Sequence, residues 1–148
     1  MTDNFPELTS FGTLMKFALA LEQATMELAQ TAASSDACSP WTEQLERSAK
    51  KHGKRNQELE RMRRERLNEV VLQPITGMDR ATYALPTSLP ATSADDMIAT
   101  VIEAEQVAAR FYDDAAAIAS NVLSGLDKTF KRLARENRDL AHALQSNT

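Results

Sequence analysis

Apolar residues spaced at i, i+3 and i+4 recur in four blocks joined by a short, a long and a short connection, a pattern that restricts this chain to helices around a shared core. The first block covers about residues 10–33, with Thr9 or Ser10 placed to cap it. The second opens at Ser39-Pro40, an N-cap followed by proline at the first helical position, and continues over about 40–72. Pro74, Gly77, Pro86 and Pro90 then exclude a continuous helix. Ser93 and Asp96 form a capping pair for a third helix over about 95–121, and Ser124-Gly125-Leu126-Asp127 opens a fourth over about 125–144. Short links predict two antiparallel hairpins, and a connection of more than twenty residues suits a crossover along the length of a bundle. With aromatics at 5%, four Gly and five Pro, few turns are left for a β fold. The expectation is all-α: one antiparallel four-helix bundle over residues 1–148, with a long crossover between helices 2 and 3.

Seventeen basic and twenty-one acidic side chains give a formal charge of -4, which excludes a globally basic nucleic-acid binder. A single cysteine, Cys38, excludes an intramolecular disulfide framework and a Cys-based zinc cluster. Residues 1–10 lack the basic-then-apolar order of a signal peptide, and no apolar run approaches a membrane span, so the expected compartment is the cytoplasm.

Winding each block at about 100° per residue places a few polar residues on the buried arc. Glu22 falls among Leu14, Ala18, Leu21 and Leu28; Glu105 falls among Ile98, Val101, Ala108 and Tyr112. His52 shares a face with Trp41, Leu45, Ala49 and Leu59, and Asn137 lies with Phe130, Leu133 and Leu140. A carboxylate in an apolar interior costs several kcal/mol unless paired, protonated or bound to a cation. Two such carboxylates on related faces point either to metal ligation with His52 or to a stripe margin that reaches water. Helices 1 and 3 also look alike, Ala20-Leu21-Glu22-Gln23 against Glu103-Ala104-Glu105-Gln106, as in a diverged repeat of two hairpins.

At these residues the chain resembles the ferritin-like superfamily, and within it the rubrerythrin-like proteins. Residues 17–22 with 26–28, and 101–105 with 111–112, look like that family's first and third helices, each of which supplies a glutamate ligand. Leu45 to His52 looks like its second helix, and Leu133 to Leu140 stands where the fourth carries a Glu-x-x-His motif. The resemblance implies a carboxylate-rich di-iron site, but Ala49 and Asn137 occupy the expected Glu positions and Leu140 the second His position. Glu22, His52 and Glu105 remain as candidate metal ligands. These could hold one iron or zinc with waters but could not bridge two metals, and no cofactor is predicted. Using Glu136, Asp139 or His142 instead would turn Phe130 and Leu140 off the core stripe.

Lys50, Lys51, Lys54, Arg55, Arg61, Arg63, Arg64 and Arg66 form a basic run that could contact phosphates. Interleaved Glu58, Glu60 and Glu65, without an aromatic for base stacking, favour a solvated or oligomer-contacting face. Cys38 reads as a passive thiol, His142 as a surface histidine and Tyr112 as core filling with its hydroxyl bonded. The function expected is a ferritin-like bundle with a degenerate metal site that acts as a binding or assembly module. The alternatives are an oxidoreductase of unusual ligation handling iron, oxygen or peroxide, and a helical protein contacting nucleic acid through helix 2. Homodimerisation is expected from apolar surface at Leu67, Val70, Val71 and Leu72 projecting beyond the bundle, together with an unidentified protein partner and no membrane contact.

Overall fold

The computed structural model describes residues 5–67, 70–86, 88–90, 93–120, 122–123 and 125–146. Among them are four α-helices: α1 (Phe11–Ala33), α2 (Thr42–Glu65), α3 (Ala94–Ala119) and α4 (Leu126–Gln145). Two short 3-10 turns, Asp36–Trp41 and Arg80–Tyr83, complete the regular structure; β pairing among the described residues is one isolated bridge between Ser10 and Pro74. No helix among the described residues is long and apolar enough to cross a membrane.

The first turn of α1 shows how the chain meets its backbone requirements. A helix begins with four N–H groups that have no partner inside it. Thr13 N donates to the Ser10 hydroxyl (3.2 Å), and Ser10 N in return donates to Thr13 Oγ1 (2.9 Å). The other two N–H groups are met from a distant segment: Phe11 N donates to Gln73 O (2.9 Å) and Gly12 N to Val71 O (2.8 Å). The chain therefore does not continue α2 to Leu72. It leaves the helix after Glu65 and lays its carbonyls on the start of α1. This also removes most of the apolar projection expected there, because Leu67 is buried and Val70 and Val71 pack on the core, leaving Leu72 88% exposed.

Close approach at this joint requires glycine. A Cβ on Gly12 would sit 2.9 Å from Val71 O, a backbone atom held by its own hydrogen bond. Gly12→Ala should lower unfolding free energy by about 1–3 kcal/mol through overpacking, although alanine is the better helix former. A denaturation midpoint equal to or above that of the parent would contradict this.

The other boundaries differ by a few residues from expectation. Pro40 lies inside the 3-10 turn, and α2 starts at Thr42 rather than at the Ser39-Pro40 step. The displaced turn lets Cys38 and Trp41 bury against Ala32, Leu45, Ile98, Val101 and Leu144. Ser93 caps α3 by accepting from Asp96 N (3.1 Å). Gly125 precedes α4 at φ 91, a left-handed conformation open to a residue without Cβ. Asn121 and Ser124, expected at the α3–α4 boundary, lie outside the described residues.

α1 packs along α2 and α3 along α4, and all four helices contribute to each of two apolar clusters. The larger contains Phe11, Phe17, Leu59, Phe111, Phe130 and Leu133. The smaller surrounds Trp41 and Leu45. The segment after α2 meets α1 at Gly12, places Tyr83 edge-on to Phe17 and Phe111, and lines a surface cleft with Ala24, Leu28 and Thr31 through Pro86 and Leu89. The Tyr83 hydroxyl donates to Asp114 on α3. A layer of buried polar side chains from all four helices interrupts this core.

Candidate functional site

Each helix brings at least one polar residue to this layer at a position of its inward stripe. On α1, Glu22 stands between Leu21 and Leu28; on α3, Glu105 stands between Ala104 and Ala108. On α2, Ser48, His52 and Arg55 follow one another at helical spacing between Leu45 and Leu59, and α4 supplies Asn137 between Leu133 and Leu140. All six are at most 2% exposed.

His52 is the centre of the arrangement. Its Nδ1 lies 2.5 Å from Glu22 Oε1, and its Nε2 lies 2.9 and 3.0 Å from Glu105 Oε2 and Oε1. A carboxylate only accepts, so both ring nitrogens act as donors and the ring is an imidazolium. Burial alone would lower the His52 pKa, but the negative charges of Glu105 and Glu22 outweigh it and push the value up to about 10. The Glu105 carboxyl responds in the opposite sense. Burial would raise its pKa, yet His52 and the hydrogen bonds from Ser48 Oγ (2.6 Å) and Asn137 Nδ2 (2.7 Å) hold it below the ordinary carboxylate value.

Glu22 Oε2 accepts from the Tyr112 hydroxyl, and burial together with the adjacent carboxylate lifts the phenol well above its usual pKa. Tyr112 is thus core filling with a bonded hydroxyl, as expected, although its partner is Glu22 and not the neighbouring Glu105. Arg55 completes the layer: Nη1 donates to Asn137 Oδ1 (2.9 Å), and Nη2 donates to Leu133 O (2.9 Å) and Glu136 Oε1 (3.1 Å). Nη1 also lies 3.6 Å from Glu22 Oε2.

Glu22, His52, Glu105 and Asn137 all face inward and meet, so the stripe-margin reading of the two glutamates is replaced by deep burial. Ala49 and Leu140 are buried as well, at 8% and 7% exposure, which places apolar groups where the resemblance expects Glu and His. Asp139 and His142 point outward, while Glu136 stands at the margin, paired with Arg55 (3.1 Å) and Lys51 (3.8 Å). Arg55 was expected on the solvated basic face and is instead interior. A signal was present: between His52 and Leu59 the α2 stripe lacks an apolar residue, and Arg55 fills that turn. The rest of the basic run lies at least partly in solvent, with Arg63 paired to Glu60 (2.6 Å) and Glu58 paired across to Arg132 of α4 (2.6 Å). Cys38 is buried, its thiol pushed up by burial, and has no thiolate character to exploit.

A metal site on these residues would need a free lone pair on His52 and unoccupied carboxylate oxygens. Here both imidazole nitrogens carry protons directed at Glu22 and Glu105, all four carboxylate oxygens already accept a hydrogen bond, and a guanidinium stands beside Glu22. The residues so arranged do not fit the two-metal centre that the resemblance implies. Among the described residues, no group of three or more His, Cys, Asp or Glu side chains is disposed to hold a metal ion. No family model, curated protein or solved structure matches this chain.

Proposed function

We propose that this chain is a rubrerythrin-like member of the ferritin-like superfamily whose interior is held by protein charges rather than by metal, and which acts through its surface as a cytoplasmic binding or assembly module. The architecture proposed is an antiparallel four-helix bundle with a crossover between α2 and α3. Three observations support it: Asn56 Nδ2 on α2 donates to Leu19 O on α1 (3.1 Å) while His52 meets Glu22, Asn137 meets Glu105 across α3 and α4, and the connecting segment touches successive levels of α1. The observation that carries the functional reading is the doubly engaged His52. An imidazolium held between two carboxylates offers neither a base nor a ligand, and the buried Cys38 supplies no nucleophile. Action is then left to the outer faces, including the basic edge of α2 at Arg47, Lys50, Lys51 and Lys54, and to association with a second copy.

Metal analysis tests this directly. Protein purified after expression with iron or zinc supplementation should contain only substoichiometric metal and show no ferroxidase turnover. Two irons per chain, lost on Glu22→Ala or Glu105→Ala, would overturn the proposal in favour of an iron-, oxygen- or peroxide-handling oxidoreductase. That second reading draws on the convergence of Glu22, His52 and Glu105 at one point, and it requires His52 to release one carboxylate and a proton.

A further inference from the structure

We propose that Arg55 is a built-in substitute for a hard divalent cation: its guanidinium fills an oxygen-lined cage and keeps that cage closed to metal ions. The inference rests on the metal-free reading above and deepens it. Four oxygens from two helices surround the Arg55 Nη atoms: Asn137 Oδ1 and Leu133 O at 2.9 Å, Glu136 Oε1 at 3.1 Å and Glu22 Oε2 at 3.6 Å. Two carboxylate oxygens, an amide oxygen and a backbone carbonyl make up the donor set that hard cations such as Mn²⁺, Ca²⁺ and Mg²⁺ select. None of the four belongs to a histidine or cysteine; Glu22 is shared with the His52 contacts, its Oε1 facing His52 and its Oε2 facing Arg55 and the Tyr112 hydroxyl.

The charge balance explains why a guanidinium suits this place. Glu22 and Glu105 carry two negative charges in the interior, His52 supplies one positive charge, and Arg55 supplies the second in a form that does not deprotonate; the charge of Glu136 at the margin is met by Lys51 (3.8 Å) and Arg132 (3.4 Å). A divalent ion added to this neutral set would be in excess and would lie within a few ångström of a fixed positive charge. Arg55 Nε is buried and has no hydrogen-bond partner among the described residues. The side chain is therefore held through its Nη fork and its charge, which a small cation could also provide.

Arg55→Ala removes the charge and opens the cage, leaving the cluster one negative charge in excess. The variant should bind one Mn²⁺ per chain about 100-fold or more tighter than the parent, as expected when a like charge a few ångström away is removed from a buried site. Loss of the free Mn²⁺ electron paramagnetic resonance signal on titration reads this out. Arg55→Lys, which keeps the charge, should resemble the parent, and Glu22→Gln in the Arg55→Ala background should weaken binding again. If Arg55→Ala is folded yet binds no Mn²⁺ stoichiometrically, the assignment fails while the metal-free reading of the parent stands. If Arg55→Ala is unfolded without metal, saturating Mn²⁺ should restore helical circular dichroism, since binding to the folded state alone stabilises it. Failure to do so also overturns the assignment. Stoichiometric Mn²⁺ in the parent, abolished by Glu22→Gln, would overturn both the assignment and the reading beneath it.

Discussion

Replacing His52 with leucine is expected to destabilise the fold by about 3–5 kcal/mol, the cost of leaving a buried ion pair with one side uncompensated. Leucine keeps most of the volume, so the loss is not a cavity effect. It arises because Glu22 Oε1 loses its partner at 2.5 Å and Glu105 loses the imidazolium at 2.9 Å, while neither carboxylate can reach water. Arg55, 3.6 Å from Glu22, offsets part of the charge, and Ser48 and Asn137 still donate to Glu105. They do not replace a charge held between the two. The destabilisation should therefore be strongly non-additive: His52→Leu combined with Glu105→Gln, which leaves Glu22 opposite Arg55, should recover much of the stability lost by His52→Leu alone. Urea denaturation followed by circular dichroism measures both quantities. A loss below about 1 kcal/mol for the single variant, or further loss when Glu105→Gln is added, would show that His52 is not the counterion of this layer.

The outcome at this layer shows which parts of the arrangement periodicity can reveal. The phase of each stripe located Glu22, His52, Glu105 and Asn137 correctly, because their apolar neighbours one turn away fix the buried arc and leave a polar residue no other direction. Arg55 escapes such a reading for the converse reason: it lies within a run of Lys and Arg whose other members do reach water, and only a missing apolar residue on the stripe marks its turn. Spacing along α3 sets Tyr112 near Glu105, but its long side chain crosses to Glu22 on α1, a contact that no spacing within one helix encodes. The end of α2 was extended by Val70, Val71 and Leu72, whose apolar character continues the pattern. What stops the helix is tertiary, since the first N–H groups of α1 take the carbonyls of Val71 and Gln73.

The same layer predicts an unusual dependence of stability on pH. His52 rises from an ordinary value of 6.5 to about 10 in the folded chain, so the folded state holds its proton where the unfolded state has released it. A raised pKa contributes stability that is complete below pH 6.5 and is lost as pH climbs toward 10. Glu105 is shifted the other way, below its ordinary 4.5, so its contribution is present above pH 4.5 and is lost on acidification. Stability should therefore be greatest between about pH 4.5 and 6.5 and fall by several kcal/mol by pH 10, with a slope approaching about 1.4 kcal/mol per pH unit. The raised pKa values of Cys38, Tyr83 and Tyr112 act in the same direction, but the ordinary values they depart from are 9.0 and 10.0. The window from pH 6.5 to 8.5 therefore reports on His52. Urea midpoints for the parent should fall steadily across that window, and those for His52→Leu combined with Glu105→Gln, which removes the carboxyl that burial would otherwise push up, should be flat. A parent profile that is level from pH 6.5 to 8.5, or an equal slope in His52→Leu combined with Glu105→Gln, would mean that the ring is not protonated between Glu22 and Glu105.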